Sequence, residues 1–257
     1  MCRFKCEISC LPAALVIWSS TAFIISFIIA MSDGHVSPLV PFISDTGANP
    51  PESCVFGLMV NISAFLGAFT MYVQYKMLQT LNEENPIISP YFNRAALVLG
   101  LLGSLGMCIV ANFQETAVRV VHDIGALLTF GMGTLYLFLQ TYISFKMQHL
   151  CNNRSAFLAR TGLTAVSVVA FIIMLICYFL SGTSRFNWKP ADEGYGCHVA
   201  SAVCEWMVGF SFNFFFMTFI KDFQTPCGEL HIPVWTPPLL TAPVAPPTDP
   251  CIKVIKA

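Results

Sequence analysis

The sequence predicts an all-α fold: a polytopic membrane protein built as a six-transmembrane-helix bundle. Three observations carry this. Six apolar runs, at about 11–31, 55–75, 95–112, 118–145, 161–181 and 196–220, are each near the roughly 20 residues a helix needs to cross a ~30 Å hydrocarbon layer. Hydrophobic residues make up 56% of the 257 and charged residues only 11%, against about 25% charged in an ordinary soluble domain. The charges also lie almost entirely between the runs. The runs lack the ten-residue alternation of a barrel, so helices must satisfy their backbone groups in lipid.

Each element has its own reason. Arg3 and Lys5 precede the first run, but Leu11 to Met31 is too long for a signal-peptide core and ends in no small-x-small cleavage site. It reads as a retained signal-anchor. The segment 32–54 is rich in Pro, Gly, Ser and Asp, and Pro41 to Glu52 reads as consecutive turns. A very short connection near Gln114–Ala117 makes runs three and four a tight hairpin. Gly100, Gly103 and Gly106 in one, and Gly125, Gly131 and Gly133 in the other, supply small surfaces for close helix packing. In 182–195, Trp188, Pro190 and Tyr195 suit an interface. Residues 1–224 form the membrane domain. The tail 225–257 holds eight prolines, including Pro237-Pro238 and Pro246-Pro247, and reads as an extended, disordered cytosolic segment.

Charge sets the orientation. With six spans the segments 1–10, 76–94, 146–160 and 221–257 share one side, and they hold ten of the thirteen basic residues. Only Arg119, Arg185 and Lys189 lie opposite, where Asp33, Asp45, Glu52, Glu115, Asp192 and Glu193 make the face acidic. Basic loops stay in the cytosol, so both termini are expected there. The sequon at Asn61 falls inside a run and that at Asn153 in a cytosolic loop, so neither is expected to carry glycan. No basic stripe with interleaved aromatics points to nucleic acid. The partner the composition demands is the lipid bilayer.

The eleven cysteines do not form an evident disulfide framework. Cys108, Cys177 and Cys204 fall within runs. Cys2, Cys6, Cys10, Cys151, Cys227 and Cys251 fall at the reducing side. Cys54 and Cys197 alone share the opposite face, where a bridge and two free thiols are both open. Cys2, Cys6 and Cys10 crowd the start of the first span, a pattern that suits S-palmitoylation or simply unmodified thiols near an interface. No Cys/His spacing suggests a metal site, and no cofactor is implied.

Polar residues inside the runs form the candidate functional cluster: His122, Asp123, His198, Glu205 and Asn213, with Asn61, Asn112 and Gln140 adding neutral amides. A charged side chain at the bilayer centre costs roughly 2.5–3.5 kcal/mol on insertion scales, so its retention calls for a partner or a pathway. A structural reading has Glu205 bonding across helices to His122, Asn112 or a backbone group. A functional reading makes His198, Glu205 and Asp123 a proton-linked path or a lipid site. Serine-nucleophile, phosphate-loop and HExxH motifs are absent, which argues against an enzyme. Glu83, Ile87 and Ile88 lie in a cytosolic stretch resembling an acidic dileucine signal for trafficking adaptors, with Pro86 keeping its neighbour extended. Ile87 and Ile88 could equally dip into the interface.

Several runs of residues together resemble the DNA-damage-regulated autophagy modulators, most closely their p53-inducible branch. These are Leu15 to Ser26, Ile43-Ser44-Asp45-Thr46-Gly47 followed by Pro50-Pro51-Glu52-Ser53, Ile109 to Glu115, Val121 to Ala126, Ala202 to Trp206 and Phe219 to Gln224. The resemblance covers about 9–224 and extends to the wider superfamily named for Frag1, these modulators and Sfk1. It implies six spans, a lysosomal or endosomal membrane, promotion of macroautophagy and of apoptosis, and no catalytic residues. Superfamily links to lipid-anchor remodelling and phosphoinositide-kinase recruitment make membrane lipids a further expected partner. The tail after Gln224 lies outside the resemblance.

Overall fold

The computed structural model describes residues 2–39, 41–151, 154–181 and 188–224, the side chains of 2–7 and 149–151 excepted. Among the described residues eight α-helices follow one another: α1 (Cys2–Ser32), α2 (Glu52–Glu84), α3 (Pro90–Asn112), α4 (Arg119–Leu127), α5 (Gly133–Cys151), α6 (Arg154–Leu180), α7 (Tyr195–Met217) and α8 (Phe219–Gln224). A π-helical turn, Leu128–Met132, joins α4 to α5, and α8 continues α7 after a break at Thr218. Among the described residues six helical segments are long and apolar enough to cross a membrane: Ile8–Ser32, Glu52–Glu84, Pro90–Asn112, Arg119–Gln148, Arg154–Leu180 and Tyr195–Gln224. There is no strand among the described residues. The fold is therefore the six-helix membrane bundle expected, with most helices running a turn or more past the apolar runs.

The spans form a closed ring. Each packs on the next in sequence, and α7 with α8 returns to α1. Glycine sets the closest approach. A Cβ on Gly106 would lie 2.6 Å from the Gly125 carbonyl oxygen, and Gly103 faces Gly133, so α3 and the fourth span meet backbone to backbone. Gly131 instead faces Phe171, and Gly100 faces Met71 and Tyr136. At the start of α7, Gly194 has φ +85°, and a side chain there would meet the Ser181 carbonyl at 2.8 Å.

The connection between α2 and α3 is tied by one side chain. Asn82 accepts the N–H groups of Ile87 and Ile88 at 3.1 and 2.8 Å and donates to the Ile88 carbonyl at 2.8 Å. Ser89 then precedes Pro90, whose missing N–H costs nothing at a helix start. Ile88 is buried in the main core cluster while Ile87 is exposed, so the two isoleucines are not presented together to solvent.

Candidate functional site

The loop after α1 does not stay outside the bundle. Ile43, Thr46, Gly47 and Ala48 are buried, and a short 3-10 turn at Asp45–Gly47 packs on Phe56. Four fastenings hold it. The Glu205 carboxylate accepts the Ile43 N–H at 2.7 Å, Trp206 Nε1 donates to the Pro41 carbonyl at 2.8 Å, and Thr116 Oγ1 donates to the Ala48 carbonyl at 3.0 Å. Before the loop, His35 Nδ1 meets Glu52 at 2.7 Å, with Glu52 fully buried at the first turn of α2. The loop thus plugs the acidic end of the ring.

Beneath the plug a cavity of about 120 Å³ runs down the middle of the ring. α1, α2, α3, the fourth span and α7 all line it. Its walls are apolar, with Phe23, Phe56, Met71, Phe130 and Phe212 prominent, and Ile43 and Ser44 close one end while Tyr136 and Phe216 stack at the other. His122, Glu205 and Asn213 line it too.

Of the five polar residues singled out in the sequence, three therefore border one cavity and two do not. His122 is buried and bonds the Phe113 carbonyl through Nδ1 at 2.8 Å. Because a carbonyl only accepts, Nδ1 carries the proton. Asn213 accepts from Ser19 at 2.8 Å and donates to Ser20 at 3.1 Å. Asp123, the next residue along the helix, points away and pairs with Arg119 at 3.6 Å, both partly exposed. Arg119 also donates to the Tyr178 hydroxyl at 2.9 Å, linking α4 to α6. His198 sits between two rings, stacked on Trp188 at 4.8 Å and edge-on to Phe42 at 5.1 Å. Glu205 has taken the backbone partner, and Asn112 instead exchanges amide bonds with Asn61 at 3.0 and 3.3 Å.

Two loop carboxyls share the acidic end. Burial, reinforced by Glu115, pushes the Asp45 carboxyl up to about 7, against the Phe42 N–H it accepts at 3.1 Å. Burial also raises the Glu115 carboxyl, with His122 and Arg119 opposing and Asp123 reinforcing. Asp33, His35 and Glu52 place ligand atoms within 4.8 Å of one another, with His35 bonded directly to one Glu52 oxygen and the other Glu52 oxygen buried without a partner.

A second polar centre, not singled out from the sequence, lies at the basic end. Arg160 is buried yet donates to Asp222, to Thr218 at 2.8 Å and to Ser144 at 2.7 Å, with its guanidinium 4.9 Å from the Phe219 ring centre. Gln74 reaches the same Asp222 oxygen at 3.5 Å. The signal was Asp222 inside the run Phe219 to Gln224, with Arg160 opening an apolar run. Cys54 and Cys197 are not bridged to each other, and Cys10 is exposed on α1. Cys2 and Cys6 lie on α1 with side chains outside the described residues. The Pro-rich tail 225–257 and Asn153 also fall outside them.

Comparison with known proteins places this architecture. Residues 7–225 match the Frag1/DRAM/Sfk1/Cwh43P N-terminal domain. The chain is 52% identical over 214 residues to DNA damage-regulated autophagy modulator protein 1 of Homo sapiens, covering 83% of this chain and 90% of that protein. It is 46% identical over 230 residues to DNA damage-regulated autophagy modulator protein 2 of Bos taurus, covering 86% of each. A more distant relative, Modulator of macroautophagy TMEM150B of Danio rerio, is 28% identical over 216 residues, 83% of this chain and 84% of that one. No solved structure matches. A six-span ring matched along nearly all of its described length leaves one assignment: the chain belongs to the Frag1/DRAM/Sfk1 family, among its DNA damage-regulated autophagy modulators.

Proposed function

We propose that this chain is a multi-pass modulator of macroautophagy in the lysosomal or endosomal membrane, coupling stress signalling to autophagy and apoptosis without catalysing a reaction. The observation that carries this reading is the extended match to proteins named as autophagy modulators. Charge supports the orientation: the basic end, with both termini, faces the cytosol and the plugged acidic end faces the lumen. The loop chemistry suits an acidic lumen, because an Asp45 carboxyl titrating near 7 is neutral there and sits in its buried place without charge. A proton relay through His198, Glu205 and Asp123 draws no support from their positions, since the three lie in separate environments. Lipid binding is the second reading, favoured by the apolar cavity.

Deleting the protein in stressed cells and following the lipidated autophagosome marker, with and without lysosomal inhibitors, tests the first reading. Reduced flux is expected. Unchanged flux in every condition contradicts it.

A further inference from the structure

The loop that plugs the acidic end is gathered at its base by three side chains with metal-ligand chemistry. Asp33, His35 and Glu52 each bring one ligand atom to within 4.8 Å of the others. Two stand just past α1 and the third opens α2, so the cluster brackets the loop 36–51. The segment of that loop that enters the ring is held farther in, by Glu205 and Trp206.

The backbone fixes this arrangement. Gly34 ends the first helix with φ +73°, a conformation that glycine takes without strain. Its N–H reaches back to the Met31 carbonyl at 3.1 Å, and the His35 N–H reaches the Ala30 carbonyl at 2.9 Å. These are the paired bonds of a Schellman cap, which set Asp33 and His35 on the helix end. Opposite them the first turn of α2 is closed by the Ser53 N–H, which donates to the Asn49 carbonyl at 2.8 Å.

Glu52 points to a ligand on separate grounds. It is fully buried, its Oε1 lies 2.7 Å from His35 Nδ1, and its Oε2 is buried without a partner. A buried carboxylate oxygen left unpaired is costly, and a cation beside it would remove that cost. Among the described residues no lysine or arginine forms an ion pair with Glu52. The cluster opens outward from this buried floor, since the His35 side chain is 33% exposed and Asp33 is exposed. An ion can therefore arrive from the acidic face without moving the plug.

The donor set selects the ion. Two carboxylates and a neutral imidazole balance the charge of a divalent cation. An imidazole among carboxylates suits zinc or manganese, whereas calcium and magnesium call for six or more oxygens. Zinc at about 2.0–2.1 Å from each ligand would hold the ligand atoms about 3.3 Å apart, with a fourth position left for water. The wider pairs close by side-chain rotation, and the His35–Glu52 contact opens slightly.

We propose that Asp33, His35 and Glu52 form a binding site for a divalent transition-metal ion, zinc foremost, which clasps the base of the plug loop.

The test uses the full chain, purified without a polyhistidine tag, its accessible thiols alkylated, in phosphatidylcholine nanodiscs. Zinc, manganese and calcium chlorides are titrated separately by calorimetry. Saturable zinc binding near one per chain is expected, with calcium much weaker. Asp33→Asn and His35→Ala should each weaken zinc binding at least about tenfold, a loss typical even of an outer partner of a metal site. Glu193→Gln, which changes an exposed acid of the same face, should leave it unaltered. Zinc should also slow protease cleavage within 41–48 in the wild-type protein and in neither ligand variant. Undiminished binding in both ligand variants overturns the site, as does the absence of saturable binding by any of the three ions. Calcium bound as tightly as zinc overturns the choice of metal, and zinc bound without any change in cleavage overturns the clasp. Thermal unfolding confirms that each variant is folded. Asp33 is exposed, so Asp33→Asn alone decides the site should His35→Ala fail to fold.

Discussion

The Glu205 carboxylate holds the backbone N–H of Ile43 at 2.7 Å across 162 positions of sequence, tying the loop after the first span to the last span. A buried backbone donor left without a partner costs about 1–3 kcal/mol. Glu205→Ala should lower stability by that order and expose 41–48 to protease, whereas Glu205→Gln, which keeps an acceptor oxygen, should do little. Thermal unfolding in detergent with limited proteolysis checks both. Equal behaviour of the two variants would remove the plug role from Glu205.

The Asp45 carboxyl gives the plug a pH dependence. Its value in the folded chain, about 7, lies above the ordinary 3.8. The folded state therefore binds the proton more tightly than the unfolded one, so the associated stability is complete below pH 4 and is lost as pH rises through 7. Glu115 faces the same region and adds repulsion in the same direction. Wild-type protein should melt at a higher temperature at pH 5 than at pH 8. Asp45→Asn should flatten the difference, and an unchanged slope in that variant would assign it to other groups.

Arg160 and Asp222 form a buried ion pair, for which removing one partner leaves the other charge stranded. Losses of about 3–5 kcal/mol are typical. Arg160→Met should be that severe, while Arg160→Met with Asp222→Leu should recover much of the loss. A double-mutant cycle by thermal or chemical unfolding reads the coupling, and additive losses would show that the pair is not coupled.

Gly106 has no room for a methyl group, since its Cβ would stand 2.6 Å from both the Gly125 oxygen and the Thr129 nitrogen. Gly106→Ala should destabilise by about 1–3 kcal/mol despite the better helix propensity of alanine. Gly162→Ala, in open space, should be neutral or mildly stabilising. The comparison separates packing from propensity.

Hydropathy made the six spans legible because each must cover the same apolar thickness, and the glycine spacing made the contact between α3 and the fourth span legible for the same local reason. The polar sites were less so. His122 and Asp123 are neighbours, but successive helix residues differ by about 100° in direction, so one enters the ring and the other leaves it. His198 and Glu205 share a face two turns apart, a rise of roughly 10 Å, too far to touch. The return of Ile43 into the bundle depends on a tertiary bond that no local pattern carries. Arg160, read as the last residue of a cytosolic loop, is buried because α6 begins six residues earlier and faces Asp222. The sequence leaves Ile87-Ile88 open between an exposed pair and a dip into the interface, and the structure parts the two residues, because Asn82 folds the turn so that Ile88 joins the core.

The most direct measurement is a density map of the full chain in lipid nanodiscs at pH 5. The expected result is a closed ring of six spans with 41–48 seated in its acidic end, the Glu205 carboxylate within hydrogen-bond reach of the Ile43 nitrogen, and an axial cavity below. A helix occupying the ring centre, or a loop lying off the bundle with Glu205 bonded elsewhere, would contradict the account.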